Sequence, residues 1–342
     1  MKSRLDIHFT LRQQLLFWSG DRYLPGEREF LINHARSGIL LALRALKLPP
    51  GSSVGVMTYN CHTVFNAIRQ AGLNPVFIDV TEDLKIDIQD LINKRERISA
   101  LIITHLFGIE NNIESIQDAF PGLPIIEDCA HSYGRKKLYG DFTVFSLGQG
   151  KLPSIGDGGI LFVNNVYYLD RIKSIYNSIP DYSFGQTFAL FAALVVRSIL
   201  YKPFVYSCIT EPIKRRRKIS NGVEAITPKR MCKGVSSVYL SEKKRIDQYI
   251  IGKRAKADEI SEELKTNKDI NMLLPLGVNA FMLVVRCDNP VHIKKLFRTK
   301  GIEVDTHFAH CIDWATCFGY KKGSCPRAEL LTRQLIMIPT HY

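Results

Sequence analysis

Two short stretches of this 342-residue chain collect side chains suited to proton and carbonyl chemistry. The first is Glu127-Asp128-Cys129-Ala130-His131, which follows the apolar run Pro124-Ile125-Ile126. A carboxylate at the end of a buried strand needs a partner, because burying it unpaired is costly. Holding a ligand and capping the next helix both satisfy that need. The second stretch is Phe145-Ser146-Leu147-Gly148-Gln149-Gly150-Lys151, followed by Gly156-Asp157-Gly158-Gly159. A lysine in a Gly-rich loop after a strand suits a phosphate ligand, a Schiff-base nucleophile or a solvated surface group. The phosphate-loop pattern GxxxxGK[ST] fails, since Phe145 and Leu152 occupy its outer positions. GxGxxG fails as well, because Gly148-Gln149-Gly150 runs into Pro153.

The elements that position these residues follow from hydrophobic patterning. Ser53–Thr58, Pro75–Asp79, Ala100–Thr104 and Pro124–Glu127 read as buried strands, with Thr63–Gln70, Ile86–Lys94 and Asn112–Ala119 as helices between them. Strands joined by helices predict a mostly parallel sheet covered on both faces, and hence an α/β fold. Phe142–Leu147 and Gly159–Val163 add two further strands, and Leu40–Leu46 reads as a helix opened by Arg36-Ser37-Gly38. In such sheets ligands gather at the carboxyl ends of the strands, which is where both stretches lie. Ser241–Leu264 predicts one long helix, with strand Ala280–Arg286 and helix Val291–Thr299 in a smaller α/β unit. The expected division is a large domain over 1–240 and a small one over 241–342.

Composition is that of a globular protein, 46% apolar and 23% charged. No apolar run reaches the ~18–20 residues of a spanning helix. The eight cysteines form no CxxC pair, so no metal site is expected. The N-terminal residues carry no secretory signal, which predicts a cytoplasmic chain. Net charge is +13, and Lys214-Arg215-Arg216-Arg217-Lys218 alone contributes five. One basic run with no recognisable reading module does not indicate nucleic-acid binding.

From about residue 27 to 165 the chain resembles the DegT/DnrJ/EryC1/StrS sugar aminotransferases, fold-type I enzymes dependent on pyridoxal 5'-phosphate (PLP). The resemblance rests on Ser37-Gly38, Tyr59, Asn66-Ala67-Ile68, Ala71-Gly72 and Pro75-Val76-Phe77-Ile78-Asp79-Val80. It continues through His105-Leu106-Phe107-Gly108, Glu127-Asp128-x-Ala130-His131, Phe145-Ser146-x4-Lys151 and Gly158-Gly159, with Arg230-Met231 beyond. It implies that Lys151 bonds to PLP and shuttles the substrate proton, and that Asp128 pairs with the pyridine nitrogen. It places His131 near the cofactor's ring oxygen and Ser146 on the phosphate, with Ser37 and Gly38 offering backbone N–H groups. Where relatives stack an aromatic residue on the cofactor this chain has Cys61, which makes the neighbouring His62 the expected stacking group. Ile39 and Pro228 also depart from the family pattern. The implied reaction moves an amine from a donor such as glutamate to a keto sugar, nucleotide-linked or lipid-linked, in a homodimer. A dehydratase of the same family would carry His at Lys151. A non-catalytic relative that binds a sugar or a membrane partner is the alternative from another class.

Between the lysine loop and Arg230 lies an apolar stretch over 184–209, then the basic run, where relatives run more directly. A buried helix beside a solvated loop is one expectation for 184–218. The other is a peripheral contact with the inner face of a membrane, in which Phe188, Leu190, Phe191, Val195, Ile199 and Leu200 enter the interface and Arg197 and Lys202 snorkel.

Overall fold

The structure, a computed structural model, describes residues 1–3, 5–216 and 222–341. Arg217 and Lys218 of the basic run lie outside the described residues. The chain opens with helix α1 (Leu11–Ser19), where Thr10 and Gln13 form a reciprocal capping box, and strand β1 (Glu29–Ile32). Helix α2 (Ala35–Leu46) starts five residues ahead of the expected Leu40 and takes in Arg36-Ser37-Gly38, the residues expected to open it. Strands β2 (Ser53–Met57), β3 (Asn74–Ile78), β4 (Ala100–Thr104), β5 (Ile125–Asp128), β6 (Phe142–Ser146) and β7 (Gly159–Val163) match the expected set within one or two residues. Between the first of these lie α3 (His62–Gln70), α4 (Ile88–Lys94) and α5 (Ile113–Ala119), and after β7 come α6 (Leu169–Ser178) and α7 (Phe184–Leu200).

Seven strands make one sheet in the order β1-β7-β6-β5-β4-β2-β3. The five from β2 to β6 are mutually parallel, and β7 and β1 close the sheet antiparallel. Chain direction across the sheet reverses between β2 and β4, since β3 lies on one side of β2 and β4 on the other. That reversal opens a crevice at the carboxyl ends of β2 and β4, the usual ligand position in such sheets. Continuous apolar strands explain the burial on both faces: every residue of β4, β5 and β6 is buried.

A second sheet holds β8 (Ile270–Leu273), β9 (Met282–Cys287) and β10 (Leu335–Pro339), all antiparallel. Alternation along its strands serves two cores. Met282, Val284 and Met337 join the core of the large sheet, whereas Leu283, Val285, Ile336 and Ile338 pack with Ile260, Leu264, Ile293 and Phe297. The helix expected over Ser241–Leu264 is two helices, Lys233–Lys243 and Ile246–Leu264, parted at Lys244 and Arg245.

Candidate active site

A cavity of about 370 Å³ lies at the carboxyl ends of β2, β4, β5 and β6. Asp128, His131, Ser146 and Lys151 line it together, so four of the residues singled out from sequence converge.

Asp128 ends β5 directly opposite Thr104 at the end of β4, and this pairing sets its hydrogen bonds. The Thr104 hydroxyl donates to Oδ2 at 3.1 Å, and the Ala130 N–H donates to Oδ1 at 3.0 Å. Asn60 Nδ2 in turn donates to Thr104 Oγ1 at 2.8 Å, fixing which way that hydroxyl points. Burial pushes the Asp128 carboxyl above the usual carboxylate range, and the Ala130 N–H and Lys151 charge oppose the rise only in part. Such a carboxylate is short of a cationic hydrogen-bond donor.

Glu127 points the other way, as strand alternation requires. It is fully buried and takes Arg135, His105 Nε2 at 3.1 Å, and the N–H groups of Tyr139 and Gly140 at 2.6 and 2.5 Å. His105, Glu127 and Cys129 bring their donor atoms within 4.8 Å of one another. The guanidinium of Arg135 already bonds both His105 and Glu127 there, so a cation is built into the cluster.

His131 is buried between aromatic rings, stacked on Phe107 at 5.2 Å and near-parallel to Phe308 at 6.0 Å. Its Nδ1 accepts the Phe107 N–H at 3.1 Å, and its Nε2 lies 2.6 Å from Lys151 Nζ. Burial first, and the Lys151 charge second, hold the ring's pKa well below the ordinary histidine value. The ring is therefore neutral near pH 7. Since Nδ1 accepts, its one proton sits on Nε2 and faces the lysine amine.

Around α2 the expectations need correction. The N–H groups of Ser37 and Gly38 donate to the His34 carbonyl, at 3.0 and 3.3 Å, so they do not stand open as expected. What Gly38 contributes is closeness, because a Cβ there would meet Ile32 Cδ1 at 2.6 Å and Val144 Cγ1 at 3.0 Å. Among the described residues, Ser37 Oγ is fully buried with no hydrogen-bond partner and the helix has no side-chain cap. A buried hydroxyl without a partner at an uncapped helix start is short of an acceptor. Ser146 closes the same end, its hydroxyl oxygen accepting the Gly148 N–H at 3.3 Å.

His62 does not take the stacking role. Cys61, Thr63 and Val64 line the cavity, while the His62 ring packs on Trp314 at 4.8 Å with Nδ1 2.8 Å from the Gly222 carbonyl. Helical geometry explains this, because His62 opens α3 and its direction is set by the helix rather than by the strand before it.

Sequence reading missed four other lining groups. His34 bonds the buried Asp157 at 2.8 Å, Arg197 arrives from α7, and His307 and Phe308 arrive from the C-terminal part of the chain. Tertiary packing brings each of them in, and only the Gly-rich text around Asp157 gave any local sign of a site.

The arrangement fits PLP. A carboxylate lacking a cationic donor, a lysine facing a neutral imidazole, and an uncapped helix start with an unpartnered hydroxyl are the three requirements of its pyridine nitrogen, aldehyde and phosphate. Residues 28–189 match the DegT/DnrJ/EryC1/StrS aminotransferase family. The matched segment is just under half of the chain and holds Asp128, His131, Ser146 and Lys151. GDP-perosamine synthase of Vibrio cholerae is 30% identical over 174 residues, 46% of this chain and 47% of that protein. A UDP-N-acetyl-3-dehydro-alpha-D-glucosamine 3-aminotransferase of Acidithiobacillus ferrooxidans is 30% identical over 152 residues, 41% of each. The chain thus spans about half the length of the curated relatives it matches. The fold extends further: the PLP form of Spr1654 from Streptococcus pneumoniae superposes with a TM-score of 0.71 at 15% identity, covering 97% of this chain and 91% of that one.

Proposed function

We propose that this chain is a PLP-dependent aminotransferase that moves an amine from an amino acid to a keto sugar carried on a nucleotide. The observation that carries the proposal is Lys151 Nζ held 2.6 Å from a neutral His131 in the cavity that also contains Asp128. PLP, when bound, supplies the electron sink that makes proton removal beside nitrogen feasible. Lys151 would hold it and move that proton. His131 Nε2, within hydrogen-bond distance, fixes where that amine sits. Asp128 would meet the pyridine nitrogen, with Thr104 and Asn60 setting its orientation. His307 and Phe308 close the cavity from the C-terminal side. Nucleotide-linked sugars are favoured as substrates because the two relatives named above carry GDP- and UDP-sugar names. Incubation with PLP, glutamate and a set of nucleotide keto sugars tests the reading. Release of 2-oxoglutarate together with an amino sugar supports it; release of neither with any donor and sugar in the set favours the non-catalytic alternative. A homodimer is part of the same proposal, checked by sedimentation velocity.

We further propose that the chain docks on an anionic lipid surface through α7 and the segment after it. Helix α7 is apolar nearly all round, and a helix of that kind is ordinarily covered on every side. Yet Phe184 is 78% exposed and Phe188 57%, and of the whole helix only Leu194 is fully buried. After a 77° bend the segment Pro203–Lys214 adds further exposed apolar side chains, Phe204 at 80% with Ile209 and Ile213. Trp18, Leu11 and Leu15 of α1 extend it on the other side, with the Trp18 ring 6.5 Å from Phe184. No single described helix is long and apolar enough to cross a membrane. The basic run from Lys214 adjoins this face in sequence, which favours anionic headgroups over a second copy bearing the same charge. Sedimentation with phosphatidylglycerol vesicles, beside neutral phosphatidylcholine vesicles, tests it. Binding to the first that is lost in Phe188→Ser/Phe204→Ser supports docking, whereas no binding at low salt, or a face covered by self-association, overturns it.

A further inference from the structure

Helix α7 also reaches the cavity by its opposite side. Leu194 packs against the Gly-rich loop, where a Cβ on Gly156 would lie 2.4 Å from Leu194 Cδ2. One turn further on, Arg197 lines the cavity itself. With its amide oxygen turned toward the guanidinium, Gln149 accepts from Nε and Nη1 of Arg197, each at 3.0 Å. Two of the five guanidinium N–H donors are thereby fixed and three remain. Arg197 forms no ion pair with a carboxylate among the described residues. Gln149 follows Gly148, which donates to Ser146, and His34, Ala35 and Arg36 at the start of α2 line the same cavity. An oriented arginine, the start of the twelve-residue helix α2 and Ser146 therefore line one cavity.

We infer that Arg197 completes an oxyanion subsite at this end and binds a phosphate group there. The inference rests on the functional reading above, in which that group is the phosphate of PLP. The same chemistry would suit the diphosphate of a sugar nucleotide. Position favours the cofactor, because Arg197 lines the same cavity as Asp128 and Lys151. The segment 184–200 would then be part of the site in its own chain and not only a surface addition.

Titration of the cofactor-free protein tests this with binding alone, comparing PLP with pyridoxal, which lacks the phosphate. Absorbance reads the titrations, and thermal unfolding checks that each variant is folded. Arg197→Ala is expected to raise the Kd for PLP roughly ten- to hundredfold and that for pyridoxal less than about twofold. Arg197→Lys, which keeps the charge but not the fork, should fall between. Unchanged PLP affinity in Arg197→Ala overturns the inference, as does equal loss for PLP and pyridoxal, which would mark a packing role for α7. Unchanged PLP affinity with weakened competition by UDP or GDP would assign the arginine to the nucleotide and overturn the cofactor assignment. A wild-type protein that binds no PLP overturns the functional reading itself.

Discussion

Lys151 Nζ and His131 Nε2 lie 2.6 Å apart, and the backbone N–H of Phe107 holds the far nitrogen of the same imidazole. The imidazole therefore offers the lysine a hydrogen rather than a lone pair. Burial of the ring keeps it in that state, since protonation would leave a charge among Phe107, Phe281 and Phe308.

That relationship has a signature in acid. A histidine whose folded pKa lies below the unfolded value binds its proton only on unfolding, so stability falls as pH drops through the ordinary histidine range. The contribution is complete above about pH 6.5 and declines by up to about 1.4 kcal/mol per pH unit below it. His131→Gln removes the titrating group, and urea unfolding between pH 7 and 5 should show a shallower decline than in wild type. Parallel declines in the two proteins would mean that His131 is not buried neutral.

Asp128 and its relay separate in a second test. Asp128→Asn removes the charge opposite the pyridine nitrogen and should lower turnover roughly a hundredfold or more while the protein stays folded. Thr104→Val leaves the carboxylate and its Ala130 N–H but removes the hydroxyl donor and the acceptor of Asn60 Nδ2. It is expected to cost about 1–3 kcal/mol in stability and to lower turnover less than Asp128→Asn does. Equal activity in Asp128→Asn and wild type would remove Asp128 from the chemistry.

Gly159 joins the sheet to the helix start. It pairs with both Ser146 and Ile32, and a Cβ on it would meet Ala35 N at 2.7 Å and the His34 carbonyl carbon at 2.9 Å. Those atoms belong to backbone and cannot rotate aside, so Gly159→Ala must push the start of α2 off the sheet. The expected result is a loss of about 1–3 kcal/mol in stability and weaker binding of PLP, read by thermal unfolding and titration. Wild-type values for both would show that α2 has room to move.

How much of this was legible in the sequence differs between residues. Asp128, His131, Ser146 and Lys151 were readable because each follows a buried strand within a few residues, and strand ends converge in a parallel sheet. The strand set was readable for the same reason. The first turn of α2 was legible only as the residues that open the helix, because serine and glycine disfavour helix; Gly38 sits within it because of close packing against Val144 and Ile32. The break at Lys244 and Arg245 carries no proline or glycine to mark it. His34, Arg197, His307 and Phe308 reach the cavity from four separate parts of the chain, and no local pattern connects them. His62 misled because it stood beside the expected position, while the first turn of α3 sends it toward Trp314.

Lys151 is central to the proposed chemistry, and the visible absorption spectrum with added PLP tests its role most directly, with wild type beside Lys151→Ala. The prediction is a visible band of protein-bound cofactor in wild type that glutamate bleaches, and no such band in the variant. A band of equal strength in Lys151→Ala, or none in wild type at saturating PLP, would contradict the assignment of this cavity as a transaminase site.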